Sequence, residues 1–571
     1  MKRKRTCSAF NSTVTATCSH LPDECWEFIF GLIINDDENR NKLRILNPLS
    51  LVSKQFLSVT DRLRFTLTVY EPSYLRRIFK RCTNLNSIQL ASSFDSDKLL
   101  RIISRFPLKQ LTSLILFYQP KIPTIGLRVF SQKITTLTSL NCSHIGCLNT
   151  SDLFLIAECF PLLQELDLSY PSGCKNYTSY VDGVEALSLA LIKLRKVNLS
   201  EFPINNQSLY HLFNNCKHLE EVIILRCDEI TSTGLASAIR ERPTLRSLSF
   251  ATTKVSEVFT TSQSIDSLVS LKGLTCLVLR NLNISDELLY SIAREGLLLT
   301  RLDLPFCSNY SYNGIFCLLS KCRRFQHLNL QYADFLNDQD VVQLSSFLGD
   351  LVSINLSHCD KLTESALFAL LRNCPSLSEI EMESMGGESD IVWNSDSLRK
   401  SCVYPQLKGL YLGSNSWLSD EILIMVTSIF PNLQLLDLEF CNHISEGICE
   451  VLRKCCKIRL LNLAYCPRVK LHRMNFVVPK LEVLNLSDTK VDDETLYLIS
   501  KNCSGLMTLQ LRNCSGVTKK GWKCVLKNCR QLRKHECIIP SSLETTRTIY
   551  LWIYGRLLWL ESERIQFCSQ A

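Results

Sequence analysis

The sequence predicts an α/β chain: a small N-terminal helical unit, then a right-handed solenoid of about 18 repeats that bends into a horseshoe with its strands inside. Three observations carry this expectation. An apolar pattern recurs at a nearly constant interval from residue 85 almost to the end of the chain. Cysteines keep fixed places within that pattern. Residues 20–84 lack the repeat and carry an apolar stripe of helical period.

Residues 1–19 are polar and Ser/Thr-rich with no apolar period, which predicts disorder. A helix is expected to start at His20-Leu21-Pro22-Asp23-Glu24. Proline suits the first turn, and Asp23 and Glu24 complement the helix dipole. Cys25, Phe28, Ile29, Leu32 and Ile33 then form one stripe. After a polar loop, Asn35 to Lys42, the run Leu49-Ser50-Leu51-Val52-Ser53-Lys54-Gln55-Phe56 predicts a short second helix. The unit, with its linking helices, is assigned residues 20–84. It is too small for an ample core, so its apolar stripes suggest a docking module.

The solenoid is assigned residues 85–537. Its motif is an apolar residue, then apolar residues three and five places on, and in its fullest form a cysteine three places later. Leu299, Leu302, Leu304 and Cys307 show it, as do Leu351, Ile354, Leu356 and Cys359. It recurs at Leu433, Leu436, Leu438 and Cys441, and at Leu506, Leu509, Leu511 and Cys514. The 17 intervals between residues 85 and 532 average about 26 residues, inside the leucine-rich-repeat range. In Ser353-Ile354-Asn355-Leu356-Ser357 the alternation is that of a half-buried strand. Ile354 and Leu356 are expected in the core, and Ser353, Asn355 and Ser357 on the inner face. A turn and a helix from Glu364 to Arg372 follow, and Asn373-Cys374-Pro375 ends that helix.

Three intervals are long. The insertion around Gly386-Gly387 and Trp393 is the richest, and insertions in solenoids often lie on the binding face. The alternative is a plain surface loop. The apolar tail, 538–571, is interrupted by Arg556 and is too short for a membrane helix; a cap over the last repeat is expected.

The 28 cysteines could suggest disulfides, but their placement argues otherwise. Besides the motif end, they recur three residues before the motif's start, at Cys82, Cys216, Cys322, Cys374, Cys455, Cys503 and Cys529. A residue repeating at one solenoid position stacks on its own copies as a small buried hydrophobe, so reduced core thiols are expected. With no apolar run after Met1-Lys2-Arg3-Lys4-Arg5 to make a secretory signal, the chain is expected in the nucleus, the cytoplasm or both. The net charge of +9 is mild for 571 residues, so nucleic acid is not expected as a partner, nor is a membrane. No CxxC pair, phosphate loop or nucleophile–base constellation stands out, which argues against a metal site and against an enzyme.

The start Leu21-Pro22-Asp23-Glu24, the Ile29-Phe30 helix and the later Leu49-Ser50-Leu51-Val52-Ser53-Lys54-Gln55-Phe56 resemble an F-box. The repeats are similar to the cysteine-containing leucine-rich subclass that often follows an F-box. Over about residues 20–537 the chain resembles a plant-type F-box/leucine-rich-repeat protein, although Phe56 stands where that family commonly has tryptophan. The resemblance implies a substrate-recognition subunit of an SCF-type cullin-RING ubiquitin ligase that docks on a Skp-type adaptor. By that likeness Leu21, Pro22, Ile29, Leu49, Leu51 and Val52 carry the adaptor contact, with Lys54 at its edge. Ile29 and Val52 serve equally well as packing within the bundle. Some plant relatives hold an inositol polyphosphate on a basic floor. Arg226, Arg280 and Arg512 lie on distant repeats, so no such cofactor is expected.

The target would then be an unknown protein read by the outward strand positions. Glu381, Glu383, Asp437 and Glu439, with Tyr411 between them and Trp393 in the nearby insertion, suit a basic segment. The plainer reading is a solvated polar face, since Asp167, Asn198, Asp303, Asn329, Asn355, Asn462 and Asn485 hold the same position. The rival to a ligase subunit is a leucine-rich scaffold or inhibitor in which residues 20–84 are only a cap.

Overall fold

The computed structural model describes residues 21–36, 46, 48–69, 73–91, 95–173, 180–253, 259, 261–386 and 403–532. The expectations for residues 1–19, for the insertion with Trp393 and for the tail therefore lie outside the described residues. The chain divides into two compact units, 1–219 and 220–571. Each is an α/β solenoid layer of parallel strands backed by helices.

In the first unit the strands Thr66–Val69, Ser87–Leu90, Ser113–Ile115, Ser139–Asn141, Glu165–Asp167 and Lys196–Asn198 pair each with the next, all parallel. The second unit holds twelve more, from Glu221–Leu225 to Thr508–Gln510, again parallel and in sequence order. The motif explains them. Leu351, Ile354 and Leu356 are each at most 2% exposed, and their counterparts in the other repeats stack on them. The helix expected from Glu364 runs Glu364–Asn373, with the Thr363 hydroxyl accepting from Ser365 N.

Cysteine is used where a thiol can both fill space and donate. At the motif's end, Sγ–H of Cys307, Cys441, Cys466 and Cys514 donates to the carbonyls of Leu279, Leu412, Leu438 and Leu486 of the preceding repeat, at 3.2, 3.3, 3.1 and 3.0 Å. At the second position Cys455 donates to Thr427 O at 3.4 Å, where a helix end leaves carbonyls unsatisfied. A leucine there would fill the volume and strand the acceptor. Burial pushes the thiols of Cys359, Cys441, Cys466 and Cys503 up to about 12.

Three features depart from the expectation. The ladder starts at Thr66–Val69, one strand before residue 85, so the end of the segment expected to be helical is a strand paired with Ser87–Leu90. Asn355 and Ser357 are not open on the inner face: they are 5% and 1% exposed. Asn355 Oδ1 accepts from Ser357 N at 2.9 Å and its amide donates to Glu381 at 2.5 Å, so this asparagine is consumed closing its own turn and joining the next strand. Lastly, residues 463–482 contain no helix. The motif starts that flank this segment, 458 and 481, lie only 23 residues apart. Val469, Leu471, Met474 and Val478 are buried there, filling the core from extended turns.

Candidate functional site

Two regions carry side chains that the fold alone does not require. The first is the N-terminal helical pair, Asp23–Asp36 and Lys54–Arg62. Its core is an aromatic cluster: Trp26, Phe30 and Phe56 lie with ring centroids 4.6–5.7 Å apart, beside buried Ile34, Leu46 and Val59. Phe56, the departure from the family's tryptophan, is the centre of this packing. A polar clasp locks the helices together. The Gln55 amide donates to Leu21 O at 3.0 Å and to Asp23 at 2.9 Å. Arg62 donates to Asp23 at 2.7 Å and to Glu27. These donors, Arg62 foremost and then Gln55, hold the Asp23 carboxyl below its usual range. Asp61, bound to Arg81 at 2.7 Å, ties the pair to Leu75–Arg81, the helix that follows the first strand of the ladder.

With that core complete, the pair still presents Leu51 at 86%, Phe28 at 69%, Val52 at 65% and Leu32 at 54% exposure, with Leu21 and Ile33 also exposed. Phe28 and Leu32 are four apart and share one helix face. Of the residues expected to contact an adaptor, Leu21, Pro22, Leu51, Val52 and Lys54 are exposed, while Ile29 and Leu49 are half-buried. Phe28, Leu32 and Ile33 belong to the helical stripe and lie outside the set that the F-box resemblance implies. Their exposure follows from Trp26 and Phe30 occupying the inward face.

The second region is the strand face of the second unit. Register places Asp303, Asn329, Asn355, Glu381, Tyr411, Asp437, Asn462 and Asn485 in one row. The expected reading residues are less open than their outward alternation suggests. Glu381, Tyr411, Asp437 and Glu439 are all under 9% exposed and Glu383 is half-buried. The Asn462 amide donates to Asp437 at 2.9 Å and to Glu439 at 3.1 Å. They form the floor of the face rather than its rim.

The rim is a feature that sequence reasoning missed. The chain leaves most strands through a residue of left-handed φ three places after the strand's central row, between 51° and 66°, and none of these is glycine. In the second unit Phe306, Tyr332 and His358 stack successively there, at 4.3 and 4.4 Å, and Phe440 stacks on Tyr465 at 4.3 Å with planes 6° apart. In the first unit His144 stacks on Tyr170 at 4.9 Å. The signal in the sequence is an aromatic or histidine immediately before the motif's cysteine, as in Phe306-Cys307 and Tyr465-Cys466.

His472, Asp492 and Glu494 bring one possible ligand atom each within 4.8 Å of one another. Asp492 is committed there as the N-cap of the helix Asp493–Asn502, accepting from Thr495 N at 2.9 Å and from its hydroxyl at 2.8 Å. The positive end of that helix disfavours a cation. Among the described residues no helix is long and apolar enough to cross a membrane.

No family model matches the chain. It is 28% identical over 188 residues to F-box/LRR-repeat protein 4 of Bos taurus, a match covering 31% of this chain and 29% of that protein. It is 24% identical over 242 residues to F-box/LRR-repeat protein 17 of Arabidopsis thaliana, covering 33% and 40%. To Antagonist of mitotic exit network protein 1 of Eremothecium gossypii it is 30% identical over 128 residues, covering 21% and 33%. The chain thus spans about a third of the length of these curated relatives. Among solved structures, Rad7 in its complex with Elc1 from yeast aligns at 16% identity with a TM-score of 0.41, over 88% of this chain and 96% of that one. The chain is a leucine-rich-repeat solenoid whose relatives over part of its length include F-box/LRR-repeat proteins.

Proposed function

We propose that this chain is the substrate-recognition subunit of an SCF-type cullin-RING ubiquitin ligase. Its N-terminal helical pair docks on a Skp-type adaptor, and the strand face of its repeats holds a protein target for ubiquitination and proteasomal degradation. The observation that carries the reading is the apolar face of Leu21, Phe28, Leu32, Ile33, Leu51 and Val52. It stays exposed on a helical pair whose own core is already filled by Trp26, Phe30 and Phe56. A cap for a solenoid would turn such side chains inward. An apolar surface rimmed by charge fits a partner protein. The partial likeness to F-box/LRR-repeat proteins supports the same role.

Under this reading the chain is not an enzyme. It raises the local concentration of target lysines around the charged ubiquitin carrier, and the gain is proximity. Its repeat cysteines, held protonated by burial, serve packing. Free core thiols also suit a reducing compartment, nucleus or cytoplasm.

The test is capture of the Skp-type adaptor by the intact chain and by a Leu51→Ala/Val52→Ala variant. Both side chains are exposed, so the fold should be unchanged by circular dichroism. Capture lost in the variant alone supports the docking face. No capture by the intact chain sinks the ligase role and leaves a leucine-rich scaffold.

A further inference from the structure

The rim aromatics are a costly choice at their position. A left-handed φ suits glycine, asparagine or aspartate, and is an outlier for a bulky side chain. Other repeats obey the preference with Asn281, Asp488 and Asn513. Phe306, Tyr332, Phe440 and Tyr465 do not, yet Phe306, Tyr332 and Phe440 are each more than a third exposed. Neither the backbone nor the core asks for an aromatic there. Strain held at an exposed, ordered stack points to a ligand.

The neighbouring charge says which kind. From His327 to Ser487 the strand-face positions carry Glu379, Glu381, Glu383, Asp437 and Glu439 and no lysine or arginine, and Arg512 just past the next strand, a cation that acts on Tyr465, is outnumbered by these carboxylates. Phosphate-bearing nucleic acid is repelled by such a face. Phe440 and Tyr465 form a parallel stack whose outer faces and edges stay open, and the Glu439 carboxylate, which is close enough to act on Tyr465, lies two residues beyond Asp437 on the same strand face. On the other side of that row Leu435, Leu460 and Val483 form a half-buried apolar strip. A planar cation on an extended, partly apolar segment matches all three: the cation meets aromatic wall and carboxylate floor, and the flanking residues meet the apolar strip.

We propose that Phe440 and Tyr465, with Asp437 and Glu439, seat an arginine-bearing extended segment of the partner protein. The inference rests on the repeats being the target-binding surface. The guanidinium stacks on the rim aromatics and its charge lies over the two carboxylates, while neighbouring residues of the segment cover the apolar strip.

The experiment is fluorescence anisotropy on the full chain with a labelled peptide alternating arginine and serine, beside its lysine and glutamate counterparts. The arginine peptide should bind tightest, the glutamate peptide not detectably, and binding should weaken as salt rises. Phe440→Asn/Tyr465→Asn replaces strained residues by one that accepts the left-handed turn. It should melt no lower than the parent and bind the arginine peptide about tenfold more weakly. Asp437→Asn/Glu439→Gln should also bind it more weakly, with a flatter salt dependence.

Equal binding of the arginine and glutamate peptides overturns the proposal, as does unchanged binding by the asparagine variant. So does an asparagine variant that loses binding only together with its melting temperature, because the stack is then structural. Adaptor capture measured on the same proteins separates the two readings. A chain that takes the arginine peptide but no adaptor loses the ligase role and keeps this site. One that captures adaptor and ignores the peptide loses this site alone.

Discussion

Single residues show how tightly neighbouring repeats are keyed. Asp286, at the start of one helix, accepts from Ser311 N at 2.8 Å and from its hydroxyl at 2.7 Å in the next repeat. Asp420 does the same for Ser445, and Asp493 for Thr518. Each carboxylate lies against a glycine of the following helix, Gly314, Gly447 or Gly521, where a Cβ would overlap it. Gly314→Ala should therefore destabilise by about 1–3 kcal/mol through forced repacking. Asp286→Ala should relieve the clash, so the double variant should cost less than the sum of the two single changes. Urea unfolding of the four proteins checks this, and strict additivity would show that the two side chains do not meet.

The buried thiols give a second residue-scale expectation. Folding raises the Cys466 pKa from 9.0 to about 12 through burial. The protonated thiol is the form that the folded state holds, so its contribution is complete below pH 9 and is lost as pH climbs toward about 12. Over that window the denaturation midpoint of the parent should fall more steeply than that of Cys466→Ala. Parallel slopes would mean that the thiol titrates alike in both states.

At the scale of the element, the leucines told most. A residue such as Leu436 or Leu461 has one environment available in a solenoid, the core between stacked strands, and both are fully buried. What stayed illegible was decided by neighbours across repeats. Thr66–Val69 lacks the leucine motif and is a strand because Ser87–Leu90 offers an edge to pair with. Glu381 and Asp437 alternate outward as expected, but an amide of an adjoining strand donates to each and draws it down to the floor of the face. The left-handed turn carries no hydrophobic period, so Phe440 and Tyr465 read as turn filler until their rings are seen stacked. Residues 463–482, the repeat without a helix, should have the least protected amides of this region. Hydrogen exchange there should be faster than in the helix Asp493–Asn502. Equal protection would mean that the extended turns are as cooperative as a helix.

For the molecule as a whole, the division into two units separates the proposed tasks. The exposed helical face belongs to residues 1–219, and the acidic, aromatic-rimmed strand face belongs to 220–571. A solenoid is stabilised by each repeat and its nearest neighbours, so damage in one repeat is felt locally. Leu436→Ala removes a fully buried core side chain of the second unit and should cost about 2–5 kcal/mol there. Leu166→Ala, nearly as buried in the first unit, should cost a similar amount in that unit. If the units unfold separately, Leu436→Ala lowers one thermal transition, weakens binding of an arginine peptide on warming and leaves adaptor capture intact. Leu166→Ala lowers the other transition and spares peptide binding. A single transition shifted alike by both changes would show that the repeats fold as one cooperative block, and the two binding surfaces could not then be lost independently.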